Sequence, residues 1–268
     1  MKAIIKFIVC GMALCFAAPA YAAPPPLVED MQPFNTSLHL NDNGTVSALG
    51  YDPSTQWQEW AAIEVWTGGS LRKPVNVGTV VGHELHTLVS ETLNRICDSP
   101  FGKYCDNTSW QSLHTKYLKT PPAGVEETTT YFRTTSAQWA NDRIRGIMIN
   151  IVGRVLYAYT SQPLGTNCYE VPGQGRFCNV PRFVRVHLPD SSPANPGHAN
   201  NWFLELWGDP SQFSQHGNLK PCGTRAAVDA QLDRYRGDIE EQFPSWRGHF
   251  RRDTRVIIDG YKVCSDEP

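Results

Sequence analysis

Beyond its first two dozen residues, this 268-residue chain has no apolar run long enough to cross a bilayer. Long basic runs are missing too. The densest cluster, Arg247, Arg251, Arg252 and Arg255, is small, and only 19% of residues are charged. A phosphate backbone needs more than that, so nucleic acid is not an expected partner. No C-x-x-C pair occurs, which removes the commonest structural zinc frame. There is no G-x-S-x-G, no P-loop and no G-x-G-x-x-G, so the best-known hydrolase and nucleotide signatures are absent. Neither an internal repeat nor a low-complexity block interrupts the chain.

What is present begins at the N-terminus. Lys2 and Lys6 precede an apolar stretch from Phe7 to Ala18, and Ala20-Tyr21-Ala22 follows. That order predicts a signal peptide over residues 1–22, cleaved after Ala22, and a periplasmic or secreted protein of bacterial type. Cys10 and Cys15 follow Val9 and Leu14, not the small residue that a lipoprotein signal needs. With Lys2 and Lys6 removed, 24 basic residues become 22, against 26 acidic ones. Residues 23–33 are Pro-rich and read as a flexible lead. Residues 34–268 are expected to form a single globular domain, with no membrane span in the mature chain.

Six cysteines remain after cleavage, an even number that suits disulfides in an exported chain. Fifteen pairings are possible, and local spacing favours one. Cys97 and Cys105 flank Ser99-Pro100-Phe101-Gly102, and Cys168 and Cys178 flank Pro172-Gly173-Gln174-Gly175. Cys222 and Cys264 are left to pair with each other.

Hydrophobic periodicity divides the chain. Ser37–Leu49 reads as two short strands around Asn41-Asp42-Asn43-Gly44. Trp57–Trp66 fits either a helix or a buried strand. Val81, Leu85, Leu88, Val89, Leu93 and Ile96 predict a helix over about Thr79–Cys97. Ser109–Leu118 reads as a short helix, and Ser136–Tyr159 as a long one capped by Ser136. After Gln162 the period becomes two. Cys168–Cys178 reads as a hairpin, Arg182–Leu188 and Trp202–Trp207 as strands, and Thr254–Ile258 with Tyr261–Val263 as a final hairpin. Thr224–Phe243 returns to helix. The expected class is α+β, a helical N-terminal half packed on a small antiparallel sheet from the C-terminal half, stapled by disulfides.

Two constellations carry candidate chemistry. The first is His83-Glu84-Leu85-His86, one residue short of H-E-x-x-H. Histidines four apart lie about 40° apart around a helix, whereas three apart they lie about 60° apart in the other sense. Both could reach one zinc ion, but a third ligand is needed and none is supplied nearby in sequence. The competing reading is a helix with two flanking histidines.

The second constellation is RFVRVHLPDSSPANPGHANNWFLELW, residues 182–207. Phe183, Arg185 and His187 share one strand face, and Phe203, Glu205 and Trp207 share another. Paired antiparallel, the two sets point the same way. A Glu among aromatics suits a general acid, a nearby His a base, and Arg185 an anionic group. The polar connection carries His198. The plainer reading is a polar stripe with an Arg185–Glu205 ion pair. Eight tryptophans would also suit a glycan platform, although tryptophan is more often core.

With no complete catalytic motif, the chain reads first as an exported binding or accessory protein acting through a surface on a protein or glycan partner. The alternative is a secreted hydrolase using His187, His198 and Glu205, or a zinc held partly by His83 and His86.

Overall fold

The computed structural model describes residues 61–68, 74–97, 105–119, 124–189, 200–208, 224–246 and 252–258, with two short strands at 38–40 and 46–48. All lie within one compact unit, Thr36–Pro268. The strands are β1 (Leu38–Leu40), β2 (Val46–Ala48), β3 (Ala61–Gly68), β4 (Val75–Gly78), β5 (Gln111–Lys119), β6 (Gly124–Gln138), β7 (Cys168–Val171), β8 (Gly175–Val180), β9 (Phe183–Leu188), β10 (Asn200–Trp207) and β11 (Arg252–Ile258). The helices are α1 (Gly82–Ile96), α2 (Asp142–Thr160), α3 (Thr224–Leu232) and α4 (Arg236–Gln242). Helices and largely antiparallel sheets are therefore mixed, with two disulfides.

The main sheet has six strands in the order β11-β3-β9-β10-β6-β5. All its pairings are antiparallel except β11 with β3. Alternation sorts its side chains. Ile63, Val65, Val184, Val186, Leu188, Trp202, Leu204 and Leu206 are buried on one face, against which α2 packs. Helix α2 is buried on more than one side because α1 lies across it. Gly153 makes that crossing close: a Cβ there would sit 2.6 Å from Ser90 Oγ and 2.7 Å from His86 Cδ2.

A smaller sheet, β4-β8-β7, packs beside this core. The Cys168–Cys178 bond joins directly opposed positions of the β7–β8 hairpin. Asn76 fastens β4 to it, donating to Asn179 Oδ1 at 2.9 Å and to the Tyr169 hydroxyl at 3.0 Å. The Cys97–Cys105 bond closes the loop after α1. Cys222 and Cys264 lie outside the described residues.

Several elements follow the periodicity, among them the β1–β2 and β7–β8 hairpins, β9 and β10. Several expectations need correction. Ser109–Leu118 is not a helix: Gln111–Lys119 is a strand, with Leu113 and Thr115 buried and His114 and Lys116 exposed between them. A two-residue alternation that short also carries helix-compatible spacings, and nine register positions against β6 decide the matter. For the same reason the described residues of the N-terminal half do not bear out a helical half. That half contributes β3, β5 and most of β6 to the main sheet, so both halves build it. The long helix also starts later than Ser136. Ser136 is still in β6, opposite Phe203, and the cap is Asn141, whose side chain accepts from Ile144 N at 2.9 Å. Thr224–Phe243 is broken by a 3-10 turn at Asp233–Tyr235. Tyr261–Val263 lies outside the described residues.

Candidate functional site

The face of the main sheet away from α2 is built in rungs. One rung runs Glu64, His187, Asn201; the next runs Trp66, Arg185, Phe203; the third runs Gly68, Phe183, Glu205, Arg133. Directly opposed side chains on neighbouring strands are about 5 Å apart, so each rung is a contact row. The second constellation of the sequence is thus on one face, as its antiparallel pairing requires.

Glu205 is buried, and both of its oxygens are engaged. Arg133 donates to Oε2 through Nη2 at 3.1 Å and Nε at 3.3 Å, and Arg182 donates to Oε1 at 3.4 Å. The Arg133 guanidinium also lies 4.5 Å from the centre of the Trp110 ring. Glu205 is the anion of a buried Arg-Glu-Arg triad, and proton donation from it would require undoing that pairing. Its arginine partners are Arg133 and Arg182, not Arg185.

His187 stands opposite Asn201, four residues along β10 from Glu205. That separation is about 13 Å along the strand, beyond a hydrogen bond or a single bridging water. The two residues share a face and no rung. His198 lies outside the described residues.

Arg185 is different from the other arginines of this face. It is half-buried between Trp66 on β3 and Phe203 on β10. Burial pulls its guanidinium below the ordinary value, with Glu64 pulling the other way. Among the described residues it makes no hydrogen bond and no ion pair within 4 Å. Glu64 instead accepts from Trp66 Nε1 at 2.5 Å.

The aromatics around it are ordered by contact. Phe183 and Phe203 stack with centroids 5.7 Å apart and planes at 19°. Phe183 lies so closely over Gly68 that a Cβ there would come within 1.9 Å of its ring. Tyr131 and Trp207 meet at 6.0 Å. All four rings are half-buried. Sequence reasoning missed Trp66, Trp110 and Arg133 as members of this face. Trp66 on β3 and Arg133 on β6 reach β9 and β10 from far along the chain, Trp110 just precedes the edge strand β5, and the β6–β10 register shifts between Phe203 and Leu204. Sequence spacing carries no trace of such a bulge.

On the helix layer, His83 is exposed and its ring meets Tyr157 at 4.9 Å. His86 is half-buried against Gly153. Burial first, then Arg154, His83 and Arg234, hold His86 below its ordinary value of 6.5. No group of three His, Cys, Asp or Glu side chains that could hold a metal gathers among the described residues. No family model, curated protein or solved structure matches the chain.

Proposed function

We propose that the protein is exported and works as a binding protein, through the aromatic–arginine face, on a partner protein that presents a carboxylate beside an apolar side chain. Export is supported by the two disulfides, which form in oxidising compartments, and by the sequence of residues 1–22. No helix among the described residues is long and apolar enough to cross a membrane.

The observation that carries the binding reading is Arg185. Among the described residues its donors make no hydrogen bond and no ion pair, and its position in the sheet lies between those of Trp66 and Phe203. Arg, Trp and Tyr in a partly buried patch are the residue types that dominate binding energy at protein interfaces. A planar guanidinium loses less entropy per hydrogen bond than an ammonium when it meets a carboxylate in bidentate fashion. The hydrolase alternative is not favoured, since its His and Glu stand four strand positions apart.

The test is a selection from a random peptide display library on the immobilised protein, with Arg185→Gln and Phe203→Ala as counter-selection. Enriched peptides carrying Asp or Glu next to a large apolar residue, and lost on both variants, are the expected outcome. Enrichment indifferent to both substitutions contradicts the proposal.

A further inference from the structure

We propose that the protein pairs with a second copy of itself along the β11 edge of the main sheet, antiparallel and in a register centred on Thr254, as a symmetric dimer. The inference concerns an edge of the sheet, and Arg185 belongs to its face, so the two proposals stand independently.

The two edges of the sheet differ. At one end β5 carries an exposed lysine, Lys116, and has β4 laid against it. The Thr115 hydroxyl donates to Val77 O, and a Cβ on Gly78 would run into Lys116 O. Lysine and a covering segment are both devices that keep a further chain from adding to an edge. At the other end β11 runs for seven residues, Arg252–Ile258, with neither Pro nor Lys among them. Its register against β3 holds without a shift from Arg252 to Ile258. Among the described residues no strand lies outside it. A strand paired on one side directs its other row of N–H and C=O groups outward, and a long, unbulged row is a template for a new strand. The strand is also held in place. Thr254 donates to Asp229 Oδ1 of α3 at 2.8 Å, and Val256 is buried.

Charge selects both the partner and the register. Opposed positions of an antiparallel pair share a face, where opposite charges attract and like charges repel. With Thr254 opposite Thr254, Asp253 of each copy stands opposite Arg255 of the other, twice by symmetry, and Arg252 stands opposite Val256. Slips destroy this match. One residue in one direction sets Arg252 opposite Arg255, and one residue in the other leaves no charge opposite a charge. A slip of two sets either Asp253 or Arg255 opposite itself. Arg-Asp-Thr-Arg-Val is therefore self-complementary in a single register, which is the condition for an isologous interface. On its inner side Arg255 already stands opposite Glu64 of β3. In the dimer the row reads Glu64, Arg255, then Asp253 of the second copy, with the signs alternating. An unrelated strand would have to reproduce that order, and a second copy supplies it.

The test is sedimentation velocity of the full protein over a wide range of concentration. Wild type should show a monomer–dimer equilibrium. Asp253→Arg and Arg255→Asp should each weaken the dimer by about tenfold or more, because each sets like charges opposite one another. Mixed together, the two variants should associate again, since every opposed charge pair between them is then Arg with Asp. Asp253→Glu, which keeps the sign and leaves Arg255 in place beside Glu64, should retain the dimer. Circular dichroism checks that each variant is folded. A wild-type protein that is monomeric at every concentration overturns the proposal. So does a dimer that Asp253→Arg leaves unchanged, or one that folded single variants fail to restore on mixing.

Discussion

Arg185 and Phe203 occupy directly opposed positions on β9 and β10, on the sheet face away from α2. Trp66 occupies the position opposed to Arg185 on β3. Two rungs of one face thus serve different ends. The Glu205 rung ties its charges to one another, while Arg185 makes no ion pair within 4 Å among the described residues and feels the charge of Glu64. The predictions below separate these roles.

Glu205 is a stability residue in this account. Glu205→Ala would leave Arg133 and Arg182 without their shared carboxylate, and should cost about 3–5 kcal/mol. The double variant Glu205→Leu with Arg133→Met should recover part of that loss, because it leaves one arginine, Arg182, without the shared carboxylate instead of two. Urea unfolding of the three proteins is the check. A Glu205→Ala protein as stable as wild type would mean that the triad is not holding the sheet.

His86 should make the protein acid-sensitive. Its native value lies below 6.5, through burial first and then Arg154, His83 and Arg234. Above 6.5 neither state binds the proton. As pH falls through 6.5 the unfolded chain takes it up and the native state resists, so stability is lost between 6.5 and the lower native value. Urea midpoints at pH 7.5 and 5.5, in a buffer free of phosphate and sulfate, should fall further for wild type than for His86→Gln. Equal losses would remove His86 from the explanation.

Non-reducing peptide mapping should find Cys97 bonded to Cys105 and Cys168 to Cys178. Breaking the second by paired substitution to Ser should cost about 3 kcal/mol, the loop entropy of so short a bridge. A cross-bond between these two pairs would contradict the hairpin register of β7 and β8.

Much of this was legible in the sequence where the information is local. Cysteines that flank a turn pair across it, and the alternation of RFVRVHL and WFLELW names both strands and both faces. Elsewhere the deciding contacts are remote. Ser109–Leu118 carries spacings that fit a short helix, and only pairing with β6 makes it a strand. The sequence reading paired Arg185 with Glu205 as neighbours. In the fold the carboxylate goes to Arg133 on β6, 72 residues away, and to Arg182 just before β9. The same register places His187 beside Asn201 and beyond the reach of Glu205.

The central claim is that Arg185 is kept free to bind a carboxylate. The most direct measurement is calorimetric titration of an acidic peptide from the display selection into wild type and into Arg185→Gln, with the thermal midpoint of each. The account predicts affinity weaker by about tenfold or more in the variant, at a midpoint equal to or above that of wild type, since the substitution removes a desolvated cation. Equal affinity in the two proteins would contradict it.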